Sequence, residues 1–283
     1  MNKGNSLFIK TMMLLGFVFL YAPVLLLMLY SFNESKLVTV WAGFSTKWYA
    51  ALLQDDQILN AAWLSLKIAA INSTIAIVIG TLAAITLVRF GKFLGRTMMT
   101  WMIAAPLVMP DVILGLSLLL LFVSMSAVIG FPEGRGMLTI IIAHVTFSSA
   151  YVSVIVQARL SSLDRSYEEA AIDLGAGPVT VFRTVTLPLI MPSVIAGWLL
   201  SFIMSFDDLV IASFVSGPSS STLPMVIFSK VRLGLNPEIN ALATIVITLV
   251  SIGVAAAGIV LARQAAKANN PGGMGAAFAQ AAD

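Results

Sequence analysis

Six apolar stretches, each long enough to cross a bilayer, govern what this chain can become. A helix rises about 1.5 Å per residue, so roughly 20 apolar residues span a hydrocarbon core ~30 Å thick. Runs of that length fall at about 11–32, 64–88, 98–127, 137–158, 189–213 and 239–262. In lipid every backbone polar group must be satisfied within the protein, and continuous runs of this length do so as helices. The expected fold class is an all-α membrane protein with six transmembrane helices. Composition agrees, since 59% of the 283 residues are hydrophobic and only 10% charged. A mean hydropathy of +0.98 excludes an ordinary water-soluble core.

Charge placement orients the spans. With the N-terminus inside, one face collects Lys3, Lys10, Arg89, Lys92, Arg96, Arg159, Arg165, Arg183, Arg263 and Lys267. The other receives Lys36, Lys47, Arg135, Lys230 and Arg232, with Lys67 near the outer end of the second span. An excess of Lys and Arg in short loops marks the cytoplasmic side, so both termini are expected in the cytoplasm. Three segments follow: a cytoplasmic N-terminus over 1–10, a transmembrane domain over 11–262 with a cytoplasmic loop at 159–188, and a tail over 263–283. The tail, rich in Ala, Gly and Asn, is expected to be disordered. Lys3 and Lys10 precede the first span as in a secretory signal, but the span is too long and lacks a small-residue cleavage site, so it reads as a retained anchor.

Several function classes drop out. The basic residues form no stripe, which argues against a nucleic-acid partner. With no cysteine there is no disulfide, thiolate metal site or cysteine nucleophile. His144, the sole histidine, has no companion ligands at metal spacing, and a helix–helix hydrogen bond is its expected role. Trp48, Tyr49 and Trp63 flank the outer side and read as membrane-interface anchors.

The loop at 159–188 is the most informative stretch. Ser166 with Glu169 three residues later has the form of a capping box, Gly175 suits a left-handed helix stop, and Pro178 suits the first turn of a following helix. Two short helices joined by a tight turn are expected. The first presents Ala170, Ala171 and Leu174 beside Glu169 and Asp173, a small apolar surface framed by acids. Small residues let another backbone approach, and the acids suit basic groups on a partner's rim. A helix lying on the membrane surface would carry the opposite composition.

Carboxylates inside the apolar runs are the second signal. Pro106 and Pro110 interrupt the third span immediately before Asp111, and the fifth contains Asp207 and Asp208. A charged side chain at the bilayer centre costs at least ~2.5–3.5 kcal/mol, so such residues face a cavity or a partner. Adjacent helical positions point about 100° apart, so one acid of the pair suits the path and the other a neighbouring helix. By rise per residue Asp111 and Asp207 lie ~20 and ~23 Å from the inner ends of their spans. Negative charge gathered at one level suits a cationic solute and repels anions. Purely structural pairing of all three acids stays open at this point.

Glu169-Ala170-Ala171, then Gly175, then Val185 and Leu187-Pro188 resembles the "EAA" loop of ABC-importer permeases, with Val185 where the family pattern has Ile. The run Ser205 to Pro218, Thr222-Leu-Pro-Met225, Asn236 to Thr244, Ala105 to Asp111 and Trp41 to Tyr49 is similar to the polyamine branch of that family. Within it the likeness is greater to the second permease subunit of putrescine importers than to the spermidine permeases. The resemblance implies a type I ABC-importer permease fold and a loop helix seated in a cleft of a separate ATPase. It makes Glu169, Ala170, Ala171 and Gly175 the coupling residues, with Asp173, Leu187 and Pro188 beside them in the same loop, and it sharpens the reading of Asp111, Asp207 and Asp208, from their placement in the spans, as the substrate path. It also implies a homologous second permease subunit as heterodimer partner, two ATPase subunits and a periplasmic polyamine-binding protein, docked on the outer loop Ser216 to Asn240. The chain has no G-x-x-x-x-G-K-[ST] phosphate loop, so no cofactor is expected here, and ATP and Mg belong to the ATPase. The expected function is import of a polyamine, putrescine first, with spermidine or another small cation as the alternative. An ion-coupled secondary transporter would usually show inverted repeats, and none is visible.

Overall fold

The computed structural model describes residues 3–37, 40–234 and 237–268. Among these the secondary structure is helical apart from one isolated bridge between Asn33 and Phe44. The chain divides into two compact units, Met1–Asp55 with Lys230–Asp283, and Asp56–Ser229.

The first unit holds α1 (Lys3–Tyr30) and α2 (Lys47–Leu52). Trp48 of α2 is buried and donates its indole N–H to the Asn33 carbonyl at 2.7 Å. It is a fixed part of the turn after α1 rather than an interfacial anchor, because the indole N–H finds a buried acceptor there.

The second unit begins with α3 (Asp56–Arg89), followed by α4 (Arg96–Val108), α5 (Asp111–Ile129), α6 (Met137–Ser161), α7 (Ser166–Asp173) and α8 (Pro178–Val181). A π-helical turn over Phe182–Thr186 leads into α9 (Leu187–Phe206), then α10 (Val210–Val215) and α11 (Leu223–Leu233). The last helix, α12 (Pro237–Ala268), returns to the first unit, where it packs on α1 and α2. Helix therefore continues through 263–268, where the tail was expected, and 269–283 lie outside the described residues.

Among the described residues five helices are long and apolar enough to cross a membrane: Phe8–Tyr30, Asp56–Arg89, Asp111–Ile129, Met137–Ser161 and Pro178–Phe206. Two expected spans are redrawn. The third is not one helix, because Pro110 has no N–H to continue α4 and adopts an extended φ, ψ of −58°, 138° that opens α5. The fifth starts at Pro178 rather than 189 and stops at Phe206 rather than 213, where Asp207 ends the helix.

α3, α6 and α9 pack against one another as the centre of the second unit. Lipid gives no hydrophobic incentive for helices to associate, so close approach and interhelical hydrogen bonds must do so. α3 supplies both through a stripe of small buried residues every three to four positions, including Ala61, Ser65, Ala69, Ala76, Gly80 and Ala84. A Cβ on Gly80 would lie 2.6 Å from Val152 and 2.8 Å from the Ser149 carbonyl of α6. Asn72, fully buried, donates to Ser148 of α6 at 3.3 Å and to the Ser201 hydroxyl of α9 at 3.0 Å.

Candidate functional site

Two places in the second unit gather the residues singled out by sequence. The first is α7. Its opening differs from the expected capping box: Ser166 is the first helical residue, and its N–H donates to the Asp164 carboxylate at 3.0 Å. An ionised acceptor two residues upstream makes the stronger cap, so Asp164 takes the role assigned to Ser166. The Ser166 N–H, and after it the Ser166 hydroxyl, hold the Asp164 carboxyl below the usual carboxylate range.

The close of α7 follows expectation. Gly175 has φ +86°, its N–H donates to the Ile172 carbonyl at 2.8 Å, and the Ala176 N–H reaches Ala171 at 3.0 Å. These are the two bonds of a Schellman stop, for which a left-handed residue without Cβ is required. Pro178 then opens α8 at its first position. α8 is no separate second helix, however, since helical backbone runs from it through the π turn into α9.

Glu169, Ala170, Asp173 and Gly175 are exposed and Ala171 is half-buried, so most of the short helix is bare. Tyr167 and Ile172 are also exposed, and Leu174 reaches 89%. Bulky apolar side chains standing free outside the membrane-spanning stretches mark a contact surface. Leu187 instead packs on a core of Ala84, Val156, Leu160 and Ile190, while Pro188 is exposed on the first turn of α9.

Glu168, which sequence reasoning passed over, joins these parts. Its carboxylate lies 3.0 Å from Nε of Arg89 at the end of α3 and accepts from Arg89 Nη2 at 3.2 Å. It also accepts the Thr186 hydroxyl of the π turn at 2.7 Å. Arg165 adds a bond to the Val88 carbonyl at 3.0 Å, where cationic groups are favoured at a helix C-terminus. The signal for this was the adjacent pair Glu168-Glu169, whose side chains must diverge by about 100°, one inward and one outward.

The second place is the pair of helix breaks carrying the acids. Gly115 of α5 meets Phe214 and the Ile211 Cα of α10, at 2.7 and 3.3 Å from an added Cβ. Asp111 precedes Gly115 by four residues within α5, about one turn or ~6 Å from that contact, and Asp207 precedes Ile211 by four across the break between α9 and α10. Asp111 and Asp207 are exposed. Asp208 turns inward: it accepts from the N–H groups of Ile211 at 3.2 Å and Ala212 at 2.7 Å, and from His144 Nε2 at 3.1 Å. His144 is fully buried, and its Nδ1 lies 2.7 Å from the Ser205 hydroxyl. The helix–helix bond expected of the single histidine is present.

The family model for the inner membrane component of binding-protein-dependent transport systems matches residues 76–268, a span that holds α7 and both breaks. The chain belongs to that family. It is a multi-pass inner-membrane permease subunit of ABC importers. Its relatives include the putrescine transport system permease protein PotI of Escherichia coli K12, 63% identical over 240 residues, 85% of each chain. The spermidine/putrescine permease PotC of the same strain is 41% identical over 253 residues, 89% of this chain and 93% of that one. Among solved structures, a bacterial ABC transporter that imports alginate matches 92% of this permease and 97% of that chain, with TM-score 0.70 at 16% identity. The MetNI methionine ABC transporter matches 73% and 95%, with TM-score 0.58 at 16% identity. At that identity the two structures establish the permease fold alone.

Proposed function

We propose that this permease carries a polyamine, putrescine foremost, across the inner membrane, driven by a separate ATPase that grips α7. The observation that carries the coupling role is the contrast within α7: an exposed outward face on a helix whose inner side is fixed by Glu168 to Arg89 and Thr186. A push on such a helix is passed to α3 and α9 instead of being lost in a loose loop. Glu169, Ala170, Ala171, Asp173 and Gly175 form the grip, and Leu187 and Pro188 receive its motion at the start of α9. α7 and both termini face the cytoplasm, and α12 is the sixth span.

The cargo rests on likeness and charge. Identity is higher to the putrescine permease, 63%, than to the spermidine/putrescine permease, 41%. Asp111 and Asp207 offer carboxylates to a dication along the path, with Asp208 behind them. Spermidine or another small cation is the second reading, favoured by the fact that exposed carboxylates do not by themselves select chain length. A homologous second permease subunit completes the path, two ATPase subunits bind ATP and Mg, and a periplasmic polyamine-binding protein delivers the solute. The loop from Ser216 to Asn240 offers that protein a surface, though Lys230 there already pairs with Asp55 and Glu238.

The test is competition uptake of labelled putrescine against spermidine and unrelated solutes, in cells with and without this chain and lacking other polyamine importers. Putrescine entry that depends on the chain and yields least to unrelated solutes is expected. Unchanged putrescine entry on deletion would remove the polyamine assignment.

A further inference from the structure

We infer that His144 is a positioning residue for the transport path: it holds the helix break that presents Asp207. This rests on the reading of Asp207 as a substrate-facing acid.

The geometry is specific. Ser201 and Ser205, four apart, share one buried face of α9, and Asp208 lies in the break just past its end. His144 and Ser148 answer them from α6, four apart and both fully buried. An ionised Asp208 only accepts, so Nε2–H of His144 donates to it, while Nδ1 pairs with the Ser205 hydroxyl, which can donate or accept. The imidazole spans the break, bonded to the last turn of α9 on one side and to the residue that caps α10 on the other. Asp207 sits between them, about 100° from Asp208, and is turned to the open face by that constraint. Phenylalanine or leucine would fill the same space, so packing alone needs no imidazole here. A buried polar group in a membrane core is costly unless paired, and both ring nitrogens of His144 are paired across the one point where the helix must stop.

The test is labelled putrescine uptake by the whole complex in proteoliposomes, with assembly checked by co-purification of the ATPase. His144→Leu is expected to raise KM about tenfold in an assembled complex, the scale of losing a hydrogen bond to a charged group. His144→Gln, whose amide can donate to Asp208 while accepting from Ser205, should recover most of that loss. A wild-type KM for His144→Leu overturns the inference, as do equal losses in the Gln and Leu variants. If the Leu variant does not assemble, Ser205→Ala replaces it, with a raised KM in favour and an unchanged KM against. Asp207→Asn, run in parallel, separates the two claims. If it keeps the wild-type KM, the path reading fails as well. If it raises KM while His144→Leu does not, only the positioning role fails.

Discussion

Glu168 shows how one side chain ties a surface to a core. Its ion pair with Arg89 is partly buried, with side chains 18% and 15% exposed, and a charge-assisted hydrogen bond from Nη2 makes it more than a surface bridge. Glu168→Gln keeps the size but leaves Arg89 unpaired, at a cost of about 1–3 kcal/mol. The expected outcome is a complex that still assembles and hydrolyses ATP but moves less solute per ATP, measured as the uptake-to-hydrolysis ratio. An unchanged ratio would mean that α7 is held by other contacts. Asp164 gives a pH prediction. Its carboxyl is depressed below the usual carboxylate range by the Ser166 N–H, so its contribution to the start of α7 is present above the unfolded value and is lost as pH falls through the folded one. Protection of the Ser166 amide, relative to its intrinsic exchange rate, should fall on acidification in the wild type and be insensitive to pH in Asp164→Asn.

At the scale of elements, the α3–α6–α9 packing depends on small residues. Gly80→Leu would drive side-chain atoms into Val152 and the Ser149 backbone, an overpacking cost of about 1–3 kcal/mol or more. The variant should lower the thermal midpoint of the purified permease, and an unchanged midpoint would contradict the packing described here. The π turn at Phe182–Thr186 is a second element with consequences, since such turns relax the regular ladder and often mark functional positions. Length and hydropathy made the spans legible, as did Pro110 the break before Asp111 and Gly175 the stop of α7. Other features were hidden for physical reasons. α3 begins at Asp56 rather than 64, where Asp56, Gln57 and Asn60 interrupt the apolar run that a hydropathy reading follows. Thr186 of the π turn meets Glu168, a contact between residues 18 apart that local propensity does not encode. Asp164 displaced Ser166 as cap because both acceptors fit the pattern and only geometry chooses.

At the scale of the whole molecule, the permease as proposed is a relay between an ATP-driven grip at α7 and a pair of acid-bearing breaks elsewhere in the same unit. Both ends were visible as motifs, Glu169-Ala170-Ala171 with Gly175 at one and Asp111 with Asp207-Asp208 at the other. The sequence did not show that Asp208 is engaged inward while Asp111 and Asp207 are exposed. The most direct test places a bulky residue on the grip, Ala170→Trp or Glu169→Trp, and measures ATP-driven putrescine uptake into proteoliposomes at matched protein levels. Loss of most uptake is expected, with ATP hydrolysis no longer stimulated by the solute-loaded binding protein. Undiminished ATP-dependent uptake in either variant would contradict the relay.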